Sequence, residues 1–131
     1  MSFSSVLPVL GQALTERGYE APTPVQAAVL EADAHGRDLI VSAQTGSGKT
    51  VAFGLAMADE LLGDPATIAM AQAPLALVIA PTRELALQVS RELLWLYRST
   101  GARIATCVGG MDASREPVSY THLTLPTILR V

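Results

Sequence analysis

The stretch "VSAQTGSGKT", residues 41–50, decides the fold. The apolar run "DLIVSA" (38–43) before it predicts a buried strand. "GKTVAFGLAMADELLG" (48–63) after it predicts a helix. A glycine-rich turn between a strand and a helix is the context in which Gly-Lys-Thr reads as a phosphate loop. Gly46 and Gly48 let successive N–H groups turn inward toward an anion. The helix start adds the positive end of its dipole. Lys49 can neutralise terminal phosphates, and the Thr50 hydroxyl suits Mg2+, a hard cation that prefers oxygen. Ala43, Gln44, Thr45, Gly46, Ser47, Gly48, Lys49 and Thr50 are therefore the candidate nucleotide-binding residues. The strict pattern wants glycine at position 43, where this chain has alanine, which serves if its φ is negative. A glycine-rich turn with an incidental lysine is the bland reading. The coincidence of strand, loop, lysine and helix outweighs it.

Working outward, strand-like and helix-like patterns alternate. "PVLGQALTERG" (8–18) predicts an amphipathic helix closed by Gly18. "TPVQAAVLEADAHG" (23–36) predicts a second, with Thr23 as N-cap, Pro24 at the first helical position and Gly36 as its stop. "LALVIA" (75–80) is a buried strand, "RELALQVSRELLWLYRST" (83–100) a long helix, and "RIATCVGG" (103–110) a third strand. Such alternation implies right-handed crossovers and a parallel sheet with helices on both faces. Ligands then sit at the carboxyl ends of strands, where residues 43–50, 81–84 and 109–110 fall.

The 131 residues suit one domain, with 50% hydrophobic, 16% charged and 5% aromatic residues. A net charge of −3 provides no global basic footprint for nucleic acid, so such a claim must rest on local motifs. The single cysteine, Cys107, excludes an internal disulfide framework and suits a reducing, cytoplasmic setting. No run approaches the roughly 18 apolar residues of a membrane span. The N-terminus lacks the cationic region of a signal peptide.

Gln26, in "GYEAPTPVQ" (18–26), can donate and accept together, which matches the N6 and N7 edge of adenine and mismatches guanine. It could select ATP, or it could be a polar residue of an amphipathic helix. Phe3 could stack on a base or fill the core.

Taken together, "F…GYEAPTPVQ", "AQTGSGKT", "PTRELA" and "GG" resemble the Q motif, motif I, motif Ia and GG motif of the DEAD-box ATP-dependent RNA helicases, in order and in context. Ala43 is usual there. The resemblance spans residues 3 to about 116. It implies an incomplete α/β, RecA-like P-loop domain over residues 1–117, with the Q motif at 18–26. It makes Gln26 the adenine reader and Phe3 the upstream stacking aromatic, with Tyr19 packing. It implies ATP and Mg2+ as cofactors, with Thr50 toward the metal, and RNA as partner. Pro81, Thr82 and Arg83 of "PTRELA" would hold the RNA backbone. There a threonine hydroxyl, a guanidinium and a helix start bind phosphate without reading sequence. Thr82 would equally serve as an N-cap, and Glu84 as a dipole-compensating acid. Gly109 and Gly110 would let RNA come close, or would simply end a strand.

Other residues invite a functional reading and do not sustain it. "EADA" (31–34) precedes the phosphate loop and is no strand-end metal site. His35 and His122 lack ligand spacing, and Cys107 reads as a small buried residue. Trp95 and Tyr97 read as packing and rim residues.

The family's acidic strand-end motif, its coupling motif and its second domain with an arginine finger have no counterpart in these residues. The finger alone is worth about 10³–10⁵ in rate. The expectation is therefore weak ATP binding, no unwinding and no catalytic residue in this chain. Beyond "GGMDASREP", residues 118–127, "VSYTHLTLPT", look like a translated reading frame of a transposon-end sequencing adapter. Residues 118–131, β-branched and nearly uncharged, are accordingly set aside as a tail of foreign origin, a genuine divergent strand being the alternative. Two rivals stand beside the helicase reading. One is a different P-loop enzyme, which would lack the pair of Gln26 and "PTRELA". The other is a non-enzymatic RNA-binding fragment, indifferent to nucleotide.

Overall fold

A computed structural model describes residues 3–32, 36–62 and 73–108, together with the backbone of 127–130. Helices α1 (Pro8–Glu16), α2 (Pro24–Glu31) and α3 (Lys49–Leu61) precede strand β1 (Leu77–Ala80). Helix α4 (Arg83–Leu96), a 3-10 turn (Arg98–Thr100) and strands β2 (Ala105–Cys107) and β3 (Thr127–Arg130) follow.

Local chemistry sets the helix ends. Pro8 and Pro24 open α1 and α2, where a missing N–H costs nothing. Gly18 takes φ +86 after α1. There its N–H donates to the Thr15 carbonyl at 3.0 Å, and the Tyr19 N–H to that of Leu14 at 2.9 Å. These two bonds form a Schellman closure, which turns the chain back along α1 and delivers the Tyr19 ring to its flank. Thr23 caps α2 and Thr82 caps α4, each through its side-chain oxygen.

The core lies where α1, α3 and α4 meet. Leu10, Leu14, Val51, Leu55, Leu93, Leu96 and Tyr97 form it. Gly54 makes the α3–α4 approach possible, since a Cβ there would lie 2.5 Å from Leu96 Cδ2. The Tyr97 hydroxyl donates to the Gly54 carbonyl at 2.5 Å, tying the same crossing. Burial pushes the Tyr97 phenol well above its ordinary pKa, and the Asp59 carboxylate pushes the same way.

The sheet is parallel throughout, in the order β1-β3-β2. Ile128 lies opposite Val78 on one side and Thr106 on the other. Ala86 and Val89 of α4 meet Val78 and Ala80 of β1. The alternate row on β1, Leu77 and Ile79, is 54% and 58% exposed.

Two parts of the sheet depart from expectation. Residues 38–43 form no strand: Ile40 is fully exposed, and no described strand lies beside them. An apolar run gains strand structure only from a neighbour's backbone, so its composition does not suffice. Conversely, the backbone of 127–130, inside the segment set aside, occupies the middle of the sheet. Ladder bonds join backbone to backbone, and a β-branched segment fills such a slot whatever its origin.

Candidate nucleotide site

The loop before α3 is a tight glycine-rich turn with the shape of an anion cradle. The Ser47 N–H donates to the Gln44 carbonyl at 3.2 Å, closing a turn. Gly46 and Gly48 take φ +79 and +87, where side chains are strained. No described residue other than glycine has positive φ, so Ala43 meets the condition its substitution for glycine sets.

Unlike α2 and α4, α3 has no side-chain cap, and no acid stands in its first turn. Its leading N–H groups and the positive end of its dipole are therefore available to a ligand. The Ser47 hydroxyl is buried without a partner. A buried orphan oxygen is costly unless something completes it. The Lys49 ammonium folds across the loop and donates to the Ala43 carbonyl. Phosphate oxygens entering the cradle would meet that ammonium, the serine hydroxyl and the helix start together. The residues present thus fit a phosphate group.

Gln26 is fully buried and spans two structures. Its Oε1 accepts from the Thr23 N–H at 3.0 Å, completing a capping box. Its Nε2 donates to the Gly48 carbonyl at 3.3 Å. One Nε2 hydrogen and one Oε1 lone pair remain uncommitted, on an amide that the fold covers completely. A Cβ on Gly48 would stand 2.5 Å from that Nε2 and 3.3 Å from Thr23 Oγ1. The sequence reading recognised Gln26 and the Thr23 cap separately. It missed their joint hold on the loop, although the Thr-x-x-Gln spacing signals the box.

Thr50 is half-buried one residue along, and it offers a metal one hydroxyl. Among the described residues no cluster of three or more His, Cys, Asp or Glu could hold a metal by itself. Beside Lys49 and Thr50 an apolar cleft of about 560 Å³ opens toward Phe53, Met57 and the exposed side of β1. Its lining is largely apolar, with Arg37, Lys49 and Thr50 as its cationic and hydroxyl groups.

Pro81, Thr82 and Arg83 are exposed at the carboxyl end of β1. Thr82 Oγ1 accepts from the Leu85 N–H at 3.2 Å and keeps its own hydrogen to donate. Phe3 packs, half-buried, against the core cluster. Gly109, Gly110, His35 and His122 lie outside the described residues.

Against known proteins, the DEAD/DEAH box helicase model matches residues 23–129. ATP-dependent rRNA helicase rrp3 of Emericella nidulans is 41% identical over 114 residues, 87% of this chain and 23% of that protein. Probable ATP-dependent RNA helicase DDX46 of Danio rerio is 44% identical over 104 residues, 79% of this chain and 10% of that protein. Among solved structures, the RNA helicase Prp28 from Chaetomium thermophilum bound to ADP superposes with a TM-score of 0.80 at 31% identity. It covers 95% of this chain and 31% of its own. A hypothetical ATP-dependent RNA helicase from Sulfolobus tokodaii gives 0.75 at 26% identity, covering 92% of this chain and 33% of its own. The chain thus spans a third or less of the proteins it matches. It belongs to the DEAD/DEAH box helicase family, and its fold is that of an incomplete RecA-like α/β domain.

Proposed function

We propose that this member of the DEAD/DEAH box helicase family is the nucleotide-gripping part of an ATP-dependent RNA helicase. Residues 43–50 would hold the ATP phosphates, and Gln26 would select adenine. Pro81, Thr82 and Arg83 would rest on the RNA backbone, and Gly109 and Gly110 are assigned to the same role by resemblance. The observation that carries this reading is the α3 start: uncapped, flanked by Lys49, and holding a buried serine hydroxyl without a partner. Mg2+ would find the Thr50 hydroxyl and phosphate oxygens, the hard ligands it prefers. Phe3 enters only by resemblance, since its ring packs on the core.

ATP binding in the parent would draw a second domain over single-stranded RNA. Its hydrolysis would then release the clamp. None of the residues of this chain is assigned to the hydrolytic step, so the chain alone should bind nucleotide without turning it over. A single cysteine, Cys107, suits a reducing, cytoplasmic compartment.

Isothermal titration with ATP and GTP tests the reading. ATP should bind more tightly than GTP, and Lys49→Ala should weaken ATP at least about tenfold, as loss of a charge-assisted bond does. Equal ATP signals from both proteins would favour a nucleotide-indifferent RNA-binding fragment.

The origin of residues 118–131 belongs to the same reading. The string "VSYTHLTLPT" supports a foreign source. The family match to residue 129 and the strand at 127–130 weigh against it. The nucleotide sequence from codon 118 decides: an adapter match upholds the foreign source, and any other frame removes it.

A further inference from the structure

At the far end of α4 from Thr82, α1 and the 3-10 turn enclose a second, small cleft of about 130 Å³. Ala13, Glu16, Arg17, Trp95, Arg98 and Ser99 line it. The Schellman closure of α1 places Tyr19 on Trp95, with ring centroids 5.8 Å apart and planes 23° from parallel. The Arg17 guanidinium sits 5.5 Å from the centre of the Trp95 ring. The indole N–H donates to Glu92 Oε2 at 3.0 Å. The indole is therefore locked in place, and it holds Arg17 beside the cleft.

We infer that the Arg17–Trp95–Arg98 cleft is a docking site for an acidic protein segment, taking a glutamate or aspartate carboxylate between its two guanidiniums. Three observations support this occupant. The lining carries two arginines against one carboxylate, and the neighbouring Glu92 carboxylate is taken up by the indole N–H. The lining carboxylate, Glu16, already accepts from Gln12 Nε2 at 2.9 Å. Planar guanidinium forks match carboxylates in two-point geometry, and cation–π contact pre-orders one of them. RNA fits less well. The cleft is below the roughly 300–1,000 Å³ of a pocket for a whole small ligand. The indole a base would need is already engaged by Tyr19, Arg17 and Glu92. This site is independent of the nucleotide cradle.

Trp95 is the chain's one tryptophan, so its fluorescence reports on the cleft directly. The full 131-residue chain is titrated with a glutamate decapeptide at low salt and, separately, with a uridine decanucleotide. The peptide should change Trp95 emission saturably. Arg17→Gln and Arg98→Gln should each weaken it about tenfold, the loss expected for one charge-assisted bond. Arg98→Lys should restore only part, because charge returns without the fork. Arg91→Gln removes an exposed α4 arginine outside the cleft and should change affinity less than about twofold. Absence of a saturable change overturns the inference. So does an equal loss in Arg91→Gln, which would mean diffuse attraction, or tighter binding of the oligonucleotide than of the peptide. Circular dichroism of each variant, unchanged from the parent, assigns any loss to the cleft.

Discussion

The side-chain amide of Gln26 is hydrogen-bonded to the backbone carbonyl of Gly48, Nε2 to O at 3.3 Å, across 22 positions of sequence. The same carbonyl accepts from the Ala52 N–H at 3.1 Å, the first helical bond of α3. One glutamine thus holds both the start of α2 and the last turn of the phosphate loop. A base that draws on this amide would also act on the loop.

That double hold separates two substitutions. Gln26→Ala loses both bonds in a fully buried site and should cost about 1–3 kcal/mol, read as a lower urea midpoint. Gln26→Glu keeps an acceptor for the Thr23 N–H but turns an oxygen toward the Gly48 carbonyl. It should retain the capping box while ATP affinity in calorimetry falls at least about tenfold. A Gln26→Glu protein binding ATP like the parent would show that the loop tie is unimportant to nucleotide.

Gly48→Ala tests the cradle sterically. The new methyl would meet Gln26 Nε2 at 2.5 Å, on a residue at φ +87. Destabilisation of about 1–3 kcal/mol from the backbone alone is expected, with the collision adding to it. Gly46 also has positive φ but nothing within 4 Å of a Cβ. Gly46→Ala should therefore cost less, and urea unfolding of the pair compares strain with strain plus clash.

Tyr97→Phe removes the donor to the Gly54 carbonyl and leaves the ring in the core. Loss of about 1–3 kcal/mol should follow, because the acceptor stays buried. The phenol also gives a pH signature. Its folded pKa is raised above the unfolded value of about 10. The neutral phenol's contribution is thus fully present below that pH and is lost as pH rises toward the folded value. The parent should lose more of its urea midpoint between about pH 9 and 11 than Tyr97→Phe does.

Leu77 and Ile79 form an exposed apolar row on a strand paired, among the described residues, on one edge. Open apolar edges associate. Sedimentation velocity should show concentration-dependent self-association, and Ile79→Lys should reduce it. A parent that stays monomeric at high concentration would count against this.

Much of this fold is legible in the sequence because its signals are local. Pro8, Pro24, Thr23, Thr82 and Gly18 mark helix ends through bonds to residues within five positions. Gly46 and Gly48 mark the loop through their own positive φ, and Lys49 through a bond six positions back. The sheet is different. "DLIVSA" carries the composition of a strand and lacks its pairing, whereas 127–130 has pairing on both sides, a position in the sheet that its β-branched composition alone does not specify. The Gln26–Gly48 bond and the stacking of Tyr19 on Trp95 likewise join distant residues, and no spacing rule reaches them.

The position of β3 also fixes an order of events during translation. Among the described residues β1 and β2 share no backbone pairing and both pair with the strand between them, while Ala86 of α4 packs between Ala80 and Val108. Until 127–130 has been made, the two earlier strands lack that backbone partner. Helices α1, α3 and α4 can already associate at that stage, but the sheet must wait. Such a nascent chain carries a helical nucleus beside two unsatisfied strands, which is the species a holdase chaperone would meet.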